Sequence, residues 1–439
     1  MTDRESTAPG AAQAPSPSFA SCHEAAERAL DRSDFTAALL SADRALLAVQ
    51  SDTPVASICA MRLIQSEAHR WLGEPVRAEP HARAAVADLE IGTALWCAAV
   101  GELSMSLAPL GEYERLVALS EALLACWTPE ASSPLVIASE RVAVALTQRG
   151  LGARAEALYA KIASAPTEDL TPIARARVHQ ALATRALMAG DDTGYLEGTA
   201  AAADAFTFAR DLRSACSAHV AVGLARFNLG DDVAAERVLR EALDLARRVN
   251  LPTLAAVALQ NLAPVLAQHG EIKGALASVR EALAIYISQG NKRMICASRS
   301  YLAAILTRAG EFEAAEREAT SLIDDLDPAP SYLANALATL ADIHLAQHRP
   351  EDALRHAARA FALLAEVGIE LGDARVRLIH AEALRATGAL DAARHAIGEA
   401  QARLLSRAAK ISNPALRESF LGRVPENART LAAASAWGA

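Results

Sequence analysis

His344 and His348 stand four residues apart, the spacing at which two imidazoles on one helix face can hold a metal ion. No Glu follows His344, and no third ligand stands at a matching spacing. His23-Glu24 with Glu27 likewise departs from the His-Glu-x-x-His pattern of zinc hydrolases. Gly150-Leu151-Gly152 is the nearest approach to a phosphate-cradling loop, but it lacks both a preceding strand and a Lys-Ser/Thr pair. There is no Gly-x-Ser-x-Gly elbow, and carboxylates such as Glu67 and Asp342 recur at long intervals instead of converging. The 6 cysteines include no Cys-x-x-Cys pair, which excludes a zinc ribbon or a thioredoxin-like motif. Catalysis, a metal and a cofactor are therefore not expected, and the chain is read as a non-enzyme.

Composition narrows the alternatives. Residues of apolar type make up 52% but aromatics only 4%, and the excess is Ala and Leu, which favours helices over sheets. A formal net charge of -9 offers no electrostatic footprint for nucleic acid or an anionic membrane. Met1 to Pro17 is polar and rich in Ala, Pro and Ser, without an apolar core of signal-peptide length. No later stretch reaches about 18 unbroken apolar residues. A cytoplasmic protein with neither nucleic acid nor membrane as partner is expected.

The elements that must position any site are set by a repeat. Ser33, Gly73, Gly111, Gly150, Gly190, Gly230, Gly270, Gly310, His348 and Gly388 recur every 38 to 40 residues. Each lies between two stretches of helical periodicity, where Gly takes the left-handed conformation that ends one helix before the next begins. Seven residues before these turns every residue is small, from Ala26 and Ser66 to Gly223 and Ala381. Five residues after, Ala stands in all but two repeats, the exceptions being Leu116 and Tyr195. Twelve after, Ala again dominates, with Leu123, Ile162 and Leu322 in its place elsewhere. Such registration predicts two antiparallel helices crossing where only small side chains fit. Stacking the pairs makes one quasi-one-dimensional core. Thr53-Pro54, Ser133-Pro134 and Thr171-Pro172 read as helix starts, an N-cap followed by Pro at the first helical position. Cys59, Cys97, Cys216 and Cys296 each fall 14 residues before a turn, on the face of the small crossing residue, and are expected as buried packing residues.

This pattern resembles the tetratricopeptide repeat family over about Phe19 to Ala409. The long spacing is similar to that of kinesin light chains and of the repeat modules of bacterial serine/threonine kinases and signalling ATPases. Leu259-Gln260-Asn261-Leu262-Ala263, followed by Gln268-His269-Gly270, carries the kinesin-light-chain style. The resemblance implies an all-α, right-handed superhelical solenoid of about ten helix-turn-helix repeats. The segments expected are a disordered 1–17, the solenoid at 18–409, and a capping helix and tail at 410–439, with Phe420, Leu421 and Val424 covering the last repeat. Kinase motifs are missing from the chain, so the resemblance is to the repeat module alone.

The resemblance also implies that residues 13, 10, 9, 6 and 2 before each turn line the concave surface. The first four repeats place Glu24, Glu27, Glu67, Glu102 and Glu140 there, with Arg141 against them. The remaining repeats place Arg177, Gln180, Gln260, Asn261, Gln268, Ser300, Arg308, Asn335 and Arg375, with Asp342 and Glu382 as acidic exceptions. Either these are solvated polar residues, or they form a strip whose amides and guanidinium groups hold a peptide backbone and its carboxylates. The groove carries no lysine, which sets it apart from the clamp by which some relatives hold chaperone tails. A protein-interaction scaffold or adaptor is expected, binding a protein or peptide such as a kinase in bacterial signalling. A ligand- or peptide-gated regulator acting on a separate effector is the alternative.

Overall fold

The structure is a computed structural model that describes residues 18–128, 130, 132–148, 150–325, 330–367 and 372–439. The expectation of disorder for residues 1–17 lies outside the described residues. Ten helix pairs follow one another: α1 (Phe19–Asp31) with α2 (Phe35–Leu47), α3 (Val55–Trp71) with α4 (Pro75–Asp88), α5 (Ala94–Leu110) with α6 (Tyr113–Ala125), and α7 (Ser133–Thr147) with α8 (Gly152–Ala163). Next come α9 (Pro172–Met188) with α10 (Asp192–Phe208), α11 (Leu212–Asn228) with α12 (Asp232–Arg248), and α13 (Pro252–Gln268) with α14 (Ile272–Ser288). The last pairs are α15 (Lys292–Arg308) with α16 (Phe312–Asp325), α17 (Pro330–Ala346) with α18 (Pro350–Val367), and α19 (Asp373–Ala386) with α20 (Leu390–Lys410). Two further helices, α21 (Pro414–Gly422) and α22 (Pro425–Trp437), close the chain. No strand occurs among the described residues, and each helix packs on its neighbours in sequence and on helices of the adjacent pairs, so the fold is an all-α, tetratricopeptide-like solenoid.

The turns fall where the spacing put them. All ten turn residues have positive φ, from 58° at Ser33 and His348 to 84° at Gly388. This conformation is open to any residue at a cost, and Gly removes that cost. The crossing points are equally regular. Ala26, Ser66, Ser104, Ala143, Ala183, Ala263, Ala303, Ala341 and Ala381 are all fully buried. Gly223 shows why size matters there, because a Cβ on it would lie 2.5 Å from Leu239 Cγ. In the fifth pair Tyr195 replaces the usual Ala, and the close approach moves to Gly198, where a Cβ would meet Ala183 at 2.8 Å. Several of the second helices, α12 most clearly, are amphipathic. In α12, Ala235, Val238, Leu239, Ala242, Leu243 and Ala246 form one buried stripe.

Cys59, Cys97, Cys216 and Cys296 are buried as expected. The helix starts are correct in one case of three. Thr171 caps α9 by accepting from the Ala174 amide with Pro172 at the first position. The other two are displaced by one residue: Pro54 itself is the N-cap of α3, its Thr53 hydroxyl accepting from Gln50, and Ser132 rather than Ser133 caps α7. Among the described residues, no helix is long and apolar enough to cross a membrane.

The superhelix touches itself across one turn. Arg213 on α11 donates to the Leu30 carbonyl at 2.7 Å and lies over the Trp71 ring at 5.6 Å, bringing the sixth pair onto the first two. The Gln289 side chain packs so closely on the Gly73 turn that a Cβ there would overlap it. At the other end, α20 reaches back to α10, where the Arg407 guanidinium donates to both oxygens of Asp192 at 2.9 and 2.8 Å.

Candidate functional site

The concave register holds two different arrangements. In pairs two to six the charged side chains consume one another. Glu102 on α5 is buried and accepts from Arg70 Nε of the preceding pair at 2.8 Å and from Arg141 of the following pair. Burial pushes the Glu102 carboxyl up, but the Arg70 and Arg141 guanidinium groups override it and hold its pKa down to about 2. Beside Arg141, the buried Glu140 faces Arg177 of the fifth pair at 3.5 Å. Arg177 donates to Gln180 Oε1 at 3.1 Å and to Ser214 Oγ at 2.9 Å, and stacks on Phe206 with 4.8 Å to the ring centre. Ser214 adjoins Arg213, which returns to Glu67 of the second pair at 3.5 Å. Glu67 in turn accepts from Trp71 Nε1 at 3.1 Å. With Arg70 3.7 Å from Glu67, these contacts make a ring through five successive pairs, in which the steps from Arg141 to Glu140 and from Ser214 to Arg213 pass between neighbours in the chain. At Glu140 and Arg177, burial holds the carboxyl above its usual range and the guanidinium below its own.

A cavity of about 600 Å³ lies against pairs seven to ten, with Leu187 and Asp192 of the fifth pair and Phe227 and Asn228 of the sixth at its margin. Its floor is the first helices α13, α15, α17 and α19, and it is lined at the expected register by Gln268, Ser300, Arg308, Asn335, Asp342 and Arg375. The structure therefore gathers five of the nine strip residues around one space. Four lie outside it. Arg177 and Gln180 belong to the ring, and Gln260 and Asn261 are buried, with Gln260 accepting from Ser298 Oγ at 2.7 Å. Sequence reasoning treated position 10 before the turn as open in every repeat. In α13 that face is covered, because almost the whole helix is enclosed by its neighbours.

The polar groups around the cavity are unequal in what they have left to offer. Gln268 Nε2 donates to Asp232 at 2.8 Å and to the Arg423 carbonyl at 3.0 Å. Arg375 donates to Thr339 at 3.0 Å and lies 3.7 Å from Asp342. Arg308 is exposed and, among the described residues, pairs with no carboxylate. Tyr301 and Tyr332 supply aromatic walls, and burial pushes the Tyr301 phenol up to about 12, so it stays a neutral donor.

The opposite wall was not legible in the register. Phe420, Val424, Pro425, Glu426, Asn427 and Arg429 of the tail line the same cavity. The helix α22 lies over the last pair, where Ala434 is fully buried with Leu378, Ala381 and Ile397, and Trp437 stacks under Arg385. In contrast, α21 enters the groove. Phe420 packs with Leu404 and Ala408 of α20 and also with Leu229 of the sixth pair, and Ser419 Oγ donates to the Gly230 carbonyl at 2.8 Å. The signal for this was the break of period at Asn413-Pro414, which marks where the chain leaves the stack but not where it goes. His344, weighed as a metal ligand with His348, stacks instead on His356 of the paired helix with ring centres 5.3 Å apart, and His69 and His81 repeat that arrangement in the second pair.

No family model and no curated protein matches the chain. Solved structures do. A Rap protein complexed with competence and sporulation factor is similar over 87% of this chain and 99% of its own, with 12% identity and a TM-score of 0.53. The Cut9–Hcn1 hetero-tetramer of the APC/C is similar over 95% of this chain and 96% of its own, again at 12% identity, with a TM-score of 0.41. At such identity the likeness to the Rap protein is one of fold, a helical-repeat solenoid of tetratricopeptide type.

Proposed function

We propose that the chain is a non-enzymatic scaffold or adaptor that receives a segment of a partner protein, or a peptide, in the cavity of pairs seven to ten. The single observation that carries this reading is the cavity itself. It is of ligand-binding size, it is mixed in character, and it is lined by equivalent positions of successive helices, as a surface that follows an extended segment requires. Arg308 supplies a positive group not already neutralised, which suits a carboxylate or phosphate on the segment. The Rap protein's complex with competence and sporulation factor supports the same use of a similar solenoid. The setting we infer is bacterial signalling in the cytoplasm, with a kinase or another signalling protein as partner.

A second reading, a gated regulator acting on a separate effector, is favoured by one observation: the tail forms a wall of the cavity, so occupancy and tail position share a space. Affinity purification with the intact chain, repeated with Arg308→Asp, tests the site. A partner retained by the wild type and lost from the variant supports it, and equal retention by both moves binding off this cavity.

A further inference from the structure

The groove of this chain already has an occupant. The α21 segment sits on the middle pairs, with Phe420 against Leu229, Ser419 bonded to the Gly230 carbonyl, and the Arg423 carbonyl taken by Gln268. Just before it, Lys410 Nζ donates to the Ala189 carbonyl at 2.7 Å, and Arg407 grips Asp192. Most of these bonds end on backbone carbonyls, so they fix the position of the tail while asking little of the floor's side chains. Phe420, 3% exposed, is the one large apolar side chain of α21 that is fully committed to the seam.

The seam is also incompletely satisfied. Arg407 Nε, Thr193 Oγ1 and Asp232 Oδ1 are buried beside it without a hydrogen-bond partner. Burial raises the Asp232 carboxyl above its usual range, against the pull of His269, Gln268 and Arg423. A buried polar group left unpaired costs free energy that the open state recovers from water. Such groups also occur within the helix pairs, Ser66 Oγ at a crossing among them, but there they are enclosed between helices of the repeat stack, whereas the seam lies between the stack and its tail. Release of the tail would bring the unpaired groups of the seam to water while leaving the crossings of the helix pairs in place.

We infer that α21 is a tethered, exchangeable plug: it closes the cavity of pairs seven to ten from the side of the middle pairs, and the incoming segment gains access by displacing it. This inference concerns the regulation of the proposed site and rests on that reading for its consequence, though not for its test. Its consequence is that the free chain binds its partner more weakly than a chain whose plug is released, by the factor that tail docking contributes.

The structure supplies a wedge and its own control. A Cβ on Gly230 would lie 2.7 Å from the Ser419 carbonyl oxygen, whereas around Gly270, a turn of the same kind with φ of 83°, nothing lies within 4 Å. The strain of a side chain at positive φ is thus common to Gly230→Asn and Gly270→Asn, and Asn250 shows that Asn accepts it in this fold. Only the first collides with the tail.

The experiment uses the full chain and, as probe, a fluorescein-labelled synthetic peptide of residues 412–437. Phe420→Asp releases the chain's own plug and leaves the dock intact. Hydrogen exchange of the α21 amides should accelerate about tenfold or more in Phe420→Asp and in Gly230→Asn, but not in Gly270→Asn. The peptide should bind Phe420→Asp at least about tenfold more tightly than the wild type, whose dock is filled. Adding Gly230→Asn to Phe420→Asp should abolish that binding, and adding Gly270→Asn should not. Equal peptide binding by wild type and Phe420→Asp overturns the inference, as does absent binding to a Phe420→Asp chain whose α21 exchanges fast and whose circular dichroism is unchanged. Unaltered α21 protection in Gly230→Asn overturns it independently of whether Phe420→Asp folds. A partner later mapped to another face would sink the proposed site while leaving the plug and its exchange standing.

Discussion

Pairs two to six and pairs seven to ten are built from the same repeat, yet they treat the superhelix axis in opposite ways. In the first region, Glu and Arg at concave positions are long enough to meet from pair to pair, and with Ser214 and the return of Arg213 to Glu67 they make a ring through Glu102, Glu140 and Arg177. In the second region the same positions carry Ser300, Asn335 and small residues such as Ala304, which cannot span the gap, and a cavity remains. What distinguishes brace from site is therefore side-chain reach and charge alternation, not backbone geometry. A ring of buried charges must be complete to be tolerated, because each member compensates its neighbours. A binding site must be incomplete, and Arg308 is the group left over.

The largest effect expected from this contrast is at Glu102. Glu102→Ala leaves Arg70 and Arg141, both largely but not fully enclosed, without their shared carboxylate, and should cost about 3 kcal/mol in chemical denaturation. The matching change in the open region, Asp342→Ala, removes a half-buried partner 3.7 Å from Arg375 and should cost no more than about 1 kcal/mol. Equal costs would erase the distinction between brace and site. Because stability in a solenoid is a sum over neighbours, the Glu102 variant should also lose the first half before the second, seen as two transitions in hydrogen exchange.

Acid should sharpen the same contrast. The Glu102 carboxyl is held at about 2 in the folded chain against an ordinary 4.5, so its stabilisation is full above pH 4.5 and is lost as pH falls toward 2. Glu140 has the opposite sign. Burial raises it, so it takes up a proton first, and that protonation relieves the folded state. Loss of stability at mild acidity therefore does not come from Glu140, and at the acid end of the window Glu102 contributes to the drop together with the lowered carboxyls of Glu236 and Asp352. Melting followed between pH 5 and 2 checks this, and Glu102→Gln should flatten the profile.

Next in size is the repeat register, which both regions share. Ala275 is fully buried at the crossing of α13 and α14, and Ala275→Leu should overpack it by about 1 to 3 kcal/mol. An unchanged melting temperature would mean that the crossing lies elsewhere.

The register was readable because it repeats: one small residue is ambiguous, while ten at a fixed distance from a left-handed turn are not. Even His348, with no glycine to announce it, takes the same φ of 58° as Ser33. The site was only half readable. The positions that face the axis follow from helical geometry, so Gln268, Ser300, Arg308, Asn335 and Arg375 could be named. Whether a facing residue is free depends on what the adjacent pairs and more distant segments bring against it, and its own repeat does not carry that. Arg177 looked like Arg308 in its repeat, but Glu140 and Ser214 claim it. The plug was hidden for the same reason, since Ser419 and Gly230 are 189 residues apart.

The smallest effect on stability, and the most decisive for function, is expected at Arg308. It is exposed and pairs with no carboxylate among the described residues, so Arg308→Ala should leave the unfolding free energy within about 0.5 kcal/mol of wild type. A hydrogen bond from a guanidinium to a bound carboxylate or phosphate contributes about 1.5 to 3 kcal/mol, so affinity for the partner should fall by roughly tenfold or more. Arg177→Ala should do the reverse. It strips Glu140 of its facing cation inside the ring and so lowers stability, while a partner in the cavity keeps its affinity once measurements are made on the folded fraction. The two arginines stand in one concave strip, thirteen and two residues before their turns, and their surroundings set them apart. If Arg177→Ala weakens binding without destabilising, or Arg308→Ala destabilises without weakening binding, the strip is functionally uniform and the boundary between brace and site does not exist.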